Sequence, residues 1–148
     1  MKPCGFGAEH LDWEYSRSDL KRVNEYRAKK VGKHWLNLGP TELGRYNCDS
    51  NIYVYPNGDV GCCSCLRNVP EFVAGNIHEG SFMDIVRNNK DMLLFNFEVW
   101  GQCADCGFNP YCRGCRAAAY FATGDVTAPD PKCYRNPENT EEYVYQKK

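Results

Sequence analysis

The sequence has no run of about 18 apolar residues, so no transmembrane helix is expected. Its opening stretch, MKPCGFGAEHLDWEYSRSDLKRVNEYRAKK, lacks the apolar core of a secretory signal. An excess of one charge is also missing: 18 Lys and Arg against 19 Asp and Glu leave a net charge of −1. No overall basic field therefore argues for nucleic acid or for an anionic membrane surface as partner. Histidine is scarce. His10, His34 and His78 show no metal spacing with one another, and each reads as a surface or structural residue. There is no internal repeat and no low-complexity segment. What is abundant is cysteine, ten in 148 residues. In a secreted chain that content would mean a disulfide-stapled scaffold. Without a signal segment the chain reads as cytoplasmic, where thiols stay reduced and clustered cysteines more often hold metal.

Length allows one domain with a modest core. Residues 1–15 show no periodicity. Ser18 is placed to cap a charged helix over 19–31, with Leu20, Val23 and Tyr26 along one narrow face. Gly39-Pro40 then interrupts the chain. From Asn51, IYVYPNGDVGCC reads as a β-hairpin whose Asn57-Gly58 step favours a tight type I′ turn. A second helix is expected over 82–94, capped by Ser81 and burying Phe82, Ile85, Val86 and Leu93. A third is expected from about Arg113 through RGCRAAAYFAT, stopped by Gly124. The fold class is α+β: a small irregular domain organised around its cysteines, with a β-hairpin and about three short helices. Its divisions are a lead-in with the charged helix at 1–44, the cysteine domain at 45–135, and a polar tail at 136–148.

The cysteines are Cys4, Cys48, Cys62, Cys63, Cys65, Cys103, Cys106, Cys112, Cys115 and Cys133. A C-x2-C step can place two sulfurs on one metal, because the intervening backbone turns and offers its N–H groups to them. The stretch CADCGFNPYCRGC holds two such steps, 103–106 and 112–115, five residues apart. Zinc ribbons separate their halves by about 15–20 residues, yet a five-residue gap can still close on one ion. Close spacing followed by a distant cysteine also suits iron–sulfur ligation, where one ligand of a run can serve a second cluster. Spacing alone leaves zinc, disulfide and iron–sulfur open.

The whole arrangement narrows this. The order Cys48-x9-Gly58-x4-Cys63, then Cys103-x2-Cys106-x5-Cys112-x2-Cys115, then Cys133, resembles the SPASM domain, the auxiliary-cluster module of radical S-adenosylmethionine enzymes that modify peptides and proteins. The PNGDV turn, GNIHEGSF, and CRGCRAAAYFATGD leading to DPKC belong to the same resemblance, which covers about residues 45–135. It implies two 4Fe–4S clusters. Cys103, Cys106, Cys112 and Cys133 would hold the second, while Cys115 would cross to the first and join Cys48 and Cys63. Two departures stand out. The family's usual spacing before its crossing cysteine is x3, and here it is x2, a reach shorter by about 1.5 Å if the segment is helical. No cysteine lies between residues 5 and 47 to complete the first set; Cys65 is the preferred substitute, ahead of Cys62 and Cys4, and an open iron is the remaining arrangement.

No two cysteines are separated by three residues, so the C-x3-C-x2-C loop that binds S-adenosylmethionine is absent from this sequence. The expected role is to carry electrons, or to position a peptide or protein substrate, for a radical enzyme barrel in cis or in trans. S-Adenosylmethionine would enter only through that partner or missing domain. A zinc-stabilised interaction module without redox function is the alternative. Arg113 and Arg116, which bracket Cys115, could favour thiolate and offset cluster charge, or simply begin a solvated helix. Phe108 and Tyr111 read as packing that walls off water. Asp130-Pro131 reads as the turn that delivers Cys133.

Overall fold

The computed structural model describes residues 16–31, 51–109 and 112–135. Two compact units divide the chain, residues 47–97 and residues 1–46 with 98–148. The expectations at Cys4, His10, His34, Gly39-Pro40, Cys48, Tyr111 and the polar tail lie outside the described residues.

In the 47–97 unit, β1 (Tyr53–Val54) runs antiparallel to β2 (Asp59–Gly61), with Tyr53 opposite Gly61 and Val54 opposite Val60. The hairpin stands where the sequence places it, but its turn is not type I′. The Gly58 N–H donates to Tyr55 O at 2.8 Å, which makes Pro56 and Asn57 the central residues, and of the turn residues Gly58 takes the positive φ, +88°. A type I′ turn needs positive φ at both central positions. Pro56, its φ held near −65° by the ring, instead suits the first central position of an ordinary turn, and Gly58 makes the left-handed step after it. A third strand, β3 (Val73–Asn76), pairs antiparallel with β2 across a register shift at Val60/Gly61. Its sequence, VAGN, has no alternation to announce it. Asn76 Nδ2 ties it to the turn, donating to Asn57 O at 3.0 Å and Asp59 Oδ1 at 2.9 Å.

Val60, at the centre of the sheet, is fully buried with Leu66 and Leu93, and Val69, Phe72 and Phe95 are buried as well. Each such side chain stabilises the fold by about 1.5–3 kcal/mol. The helix expected over 82–94 is two: α2 (Phe82–Asn88) and α3 (Lys90–Leu93). Asn89 breaks it with φ −124° and ψ 25°, and its Nδ2 donates to Ile85 O at 2.9 Å and Ala74 O at 3.2 Å. An asparagine amide that competes for backbone acceptors ends helices in this way. Ser81 holds the N-cap position, but without a side-chain cap bond; its carbonyl takes the N–H groups of Asp84 and Ile85. Of the expected apolar face Leu93 is buried, Ile85 and Val86 are half-buried, and Phe82 is 40% exposed.

In the other unit, α1 (Arg17–Val31) starts two residues earlier than expected. Ser16, not Ser18, caps it: its hydroxyl accepts from Asp19 N–H at 3.0 Å and donates to Asp19 Oδ2 at 2.8 Å. Asn24 and Ala28 are its buried residues, whereas Tyr26 is 62% exposed beneath the Lys30 ammonium. The last helix, α4 (Arg116–Thr123), stops at Gly124 as expected, where φ is +78°. It begins three residues later than expected because Arg113 and Gly114, at φ 55° and 72°, are both left-handed and cannot lie in a right-handed helix. Ala117, Ala118, Ala119 and Ala122 bury it on several sides, together with Tyr120 and Arg116.

A polar knot follows α4. Asp125 Oδ1 accepts from Thr127 N–H at 2.7 Å and Thr127 Oγ1 at 2.6 Å, and Oδ2 accepts from Trp100 Nε1 at 2.9 Å. The Thr127 hydroxyl first, then Trp100, holds the Asp125 carboxyl below its ordinary 3.8. A carboxyl lowered by folding contributes stability that is present above its unfolded value and disappears as pH falls through the folded one. Thermal unfolding compared at about pH 6 and about pH 3 should therefore drop less in Asp125→Asn than in the parent; an equal drop would assign the acid sensitivity elsewhere.

Candidate metal centre

Cys103, Cys106, Cys112 and Cys133 line one cavity of about 220 Å³. One water needs only ~10–15 Å³, so the space suits a body of many atoms. Each of three sulfurs already accepts backbone N–H. Cys103 Sγ takes Asp130 N–H at 3.3 Å, Cys106 Sγ takes Phe108 N–H at 3.5 Å, and Cys112 Sγ takes Gly114 N–H at 3.4 Å. In the last two the donor lies two residues after the cysteine, the turn that a C-x2-C step makes. The loop between the two steps is held by Asn109 N–H on Cys106 O and Cys112 N–H on Phe108 O, both at 2.8 Å. Cys133 is delivered by a turn in which its N–H reaches Asp130 O at 3.3 Å, the role foreseen for Asp130-Pro131.

Asp130 does more than turn the chain. It is fully buried; Oδ2 accepts from Cys115 N–H at 2.7 Å and Oδ1 from Lys132 N–H at 2.9 Å. Its carboxylate therefore ties the approach to α4 to the segment carrying Cys133, while its own N–H faces Cys103. Arg116 is 2% exposed, and Nη1 donates to Val126 O at 2.8 Å and Ala128 O at 2.7 Å. Its Nη2 lies 3.9 Å from Cys103 Sγ. Of the two readings for Arg116, a solvated helix start is thus replaced by a buried cation beside the Cys103 sulfur. Arg113 lines the cavity.

Burial pushes the Cys112 thiol up to about 11, against the Gly114 N–H, which pulls it down. Cys103 is raised by burial too, and the Asp130 N–H and the Arg116 charge oppose the rise. Against burial, the N–H donors and the Arg116 cation are the groups that favour negative charge on these two sulfurs. Cys103, Cys106 and Cys112 carry thiols, not disulfides. Among the described residues no three His, Cys, Asp or Glu side chains are gathered to hold a single metal ion. The four cysteines line one cavity. Soft sulfur donors, N–H groups aimed at them and three arginines (Arg113, Arg116 and Arg135) at or beside the cavity fit an anionic iron–sulfur cluster.

The other expected ligands lie elsewhere. Cys63 and Cys65, both half-buried, flank the start of a short 3-10 turn (Ser64–Leu66) in the 47–97 unit, and Tyr55 Oη donates to Cys63 O at 2.9 Å. Burial, then the neighbouring Cys62 and Cys63, pushes the Tyr55 phenol up to about 12. Cys62 itself is buried, 1% exposed, within the apolar core of that unit. Cys115 is the N-cap residue of α4, half-buried. Sequence reasoning missed Arg135, whose guanidinium lies 4.0 Å over the Phe108 ring and lines the cavity. Its signal was available: an arginine two residues past the last cysteine. It also missed the Asp130 carboxylate as an acceptor.

The model of the SPASM family, an iron–sulfur cluster-binding domain, matches residues 47–116. Residues 47–116 are a SPASM domain. The match ends at Arg116, so the Asp130 turn and Cys133 lie beyond it. The chain is also similar to AdoMet-dependent heme synthases. It is 40% identical to that of Methanosarcina barkeri over 67 residues, 44% of this chain and 19% of the relative. It is 32% identical to that of Nitratidesulfovibrio vulgaris over 87 residues, 57% of this chain and 23% of the relative. To that of Oleidesulfovibrio alaskensis it is 28% identical over 125 residues, 78% of this chain and 30% of the relative. The chain thus spans less than a third of the length of these relatives. No solved structure matches it. No helix among the described residues is long and apolar enough to cross a membrane.

Proposed function

We propose that residues 45–135 hold two 4Fe–4S clusters and serve an S-adenosylmethionine-dependent radical enzyme as its auxiliary, electron-carrying module. The observation that carries this reading is the single cavity lined by Cys103, Cys106, Cys112 and Cys133, three of whose sulfurs accept backbone N–H. Bound there, a cluster supplies one-electron redox chemistry. The residues of the chain do the rest. The four cysteines ligate, the N–H groups of Phe108, Gly114 and Asp130 stabilise thiolate charge, and Phe108 under Arg135 limits water at the cavity. The first set of ligands, Cys48, Cys63, Cys115 and Cys65, rests on the family resemblance. The radical barrel is supplied in cis or in trans, and S-adenosylmethionine binds there.

The family resemblance implies peptide or protein substrates, whereas the relatives are named heme synthases. Their name favours a role in heme synthesis for the enzyme this module serves. Anaerobic reconstitution with iron and sulfide should load roughly eight irons per chain, as two four-iron clusters require. Cys106→Ser should lose about half of that iron and one of two paramagnetic signals in the reduced protein. Stoichiometric zinc without iron, in protein expressed anaerobically, would overturn the reading in favour of a zinc-stabilised interaction module.

A further inference from the structure

We infer that Arg116 sets the reduction potential of the cluster held by Cys103, Cys106, Cys112 and Cys133, by pressing a fixed guanidinium against the Cys103 sulfur. The inference rests on the cluster assignment above and adds a division of labour among its ligands. Arg116 is 2% exposed, and Nη1 bonds two carbonyls, Val126 O and Ala128 O. Two acceptors on one nitrogen fix the plane of the fork, so Nη2 is held toward Cys103 Sγ at 3.9 Å. Nε is buried with no hydrogen-bond partner among the described residues. A buried cation with a donor to spare stabilises added negative charge nearby.

The ligand sulfurs are unequal as a result. Cys103 receives two donors, the Asp130 N–H at 3.3 Å and Arg116, whereas one backbone N–H is seen on each of Cys106 and Cys112. The couple takes up one electron from the titrating reductant. Arg116 is cationic before and after and exchanges no proton. One-electron reduction would make a cluster with its thiolates more negative by one, so a cation at Cys103 favours the reduced state and raises the potential. An arginine needed only to tie Val126 and Ala128 in place would leave the potential alone.

The test is potentiometric titration of the reconstituted chain with dithionite, followed by paramagnetic resonance. Arg116→Gln removes the charge and Arg116→Lys keeps it. In Arg116→Gln the equilibrium for reducing this cluster should fall at least tenfold, about 59 mV for one electron. The other cluster, identified as the signal that survives in Cys106→Ser, should keep its midpoint. Arg116→Lys should lie between Arg116→Gln and the parent. An unchanged midpoint in Arg116→Gln with iron content intact overturns the inference and leaves the cluster assignment standing. Absence of any iron–sulfur signal in the parent overturns both. Should Arg116→Gln fail to load, the parent labelled with 15N in its arginine guanidino groups decides. Pulsed paramagnetic resonance of the reduced parent should show 15N coupling to this cluster, and its absence overturns the inference.

Discussion

Gly114→Ala is expected to lose the cluster of the 103–133 cavity and to destabilise the chain by about 2–6 kcal/mol. Gly114 has φ +72°, in the left-handed region, where a side chain costs about 1–3 kcal/mol. The added Cβ would also meet Asp130 Cβ at 2.5 Å, Arg116 Nη2 at 2.8 Å and Cys103 Sγ at 3.2 Å. Overpacking of this kind costs about 1–3 kcal/mol more. The first of those contacts is the hardest to relieve, because Asp130 Cβ is fixed to a backbone whose N–H already faces Cys103 and whose carboxylate bonds two N–H groups. Every route out of the clash moves a ligand or a group that positions one. Gly107 is the matched control in the same loop: a Cβ there meets nothing within 4 Å, and Gly107→Ala should stay within about 0.5 kcal/mol of the parent. Urea unfolding before reconstitution and iron content after it measure both effects. Full iron loading by Gly114→Ala would show that the turn can reshape without the ligands noticing.

The same turn explains how much could be read in advance. The cysteine order proposes the ligands because ligation constrains residue type and gap directly, and a shift of one residue would be visible as a broken pattern. The gap of two between Cys112 and Cys115 was legible as a departure from the family, yet its shape was not. Helical propensity favours starting a helix at Arg113, but two consecutive left-handed residues, Arg113 and Gly114, make a compact turn and α4 waits until Arg116. Glycine at 114 was the visible half of that signal; an arginine at φ 55° is held by tertiary context, which no local pattern encodes. The hairpin was legible because Pro56 to Gly58 is dense in turn residues. The third strand, VAGN, was not, because its pairing with β2 comes through Asn76 and the bulge at Val60/Gly61 rather than through alternation. Asn89 likewise looked like one polar residue in a helical run, and it breaks the run by bonding Ala74 O on a neighbouring strand. Asp130 reads in the sequence as a turn former, and Arg116 as either a cation near a cluster or the start of a solvated helix. Their hydrogen bonds connect positions 10 to 15 residues apart, a relation that sequence spacing cannot display.

Asp130→Asn is expected to cost about 2.5–6 kcal/mol in the chain before reconstitution and to reduce its iron content. The substitution keeps shape and volume, so it isolates the acceptors. Both carboxylate oxygens take a backbone N–H, from Cys115 at 2.7 Å and from Lys132 at 2.9 Å. An asparagine offers one oxygen and one NH2, so whichever way it is turned one backbone N–H faces another donor. In a fully buried position that loses a bond to a charged group, about 1.5–3 kcal/mol, and leaves a donor unpaired for about 1–3 kcal/mol. An opposing effect is present. The Asp130 charge raises the Cys103 and Cys112 thiols, so its removal eases their ionisation, but burial is the larger cause at both sulfurs and persists. The structural loss therefore wins. It frees Cys115 and the segment carrying Cys133 together, so iron should fall at both of the proposed clusters, unlike Cys106→Ser, which should empty one. A urea midpoint within about 0.5 kcal/mol of the parent, with full iron, would mean that the two N–H groups find other acceptors and that Asp130 serves the site through its backbone alone.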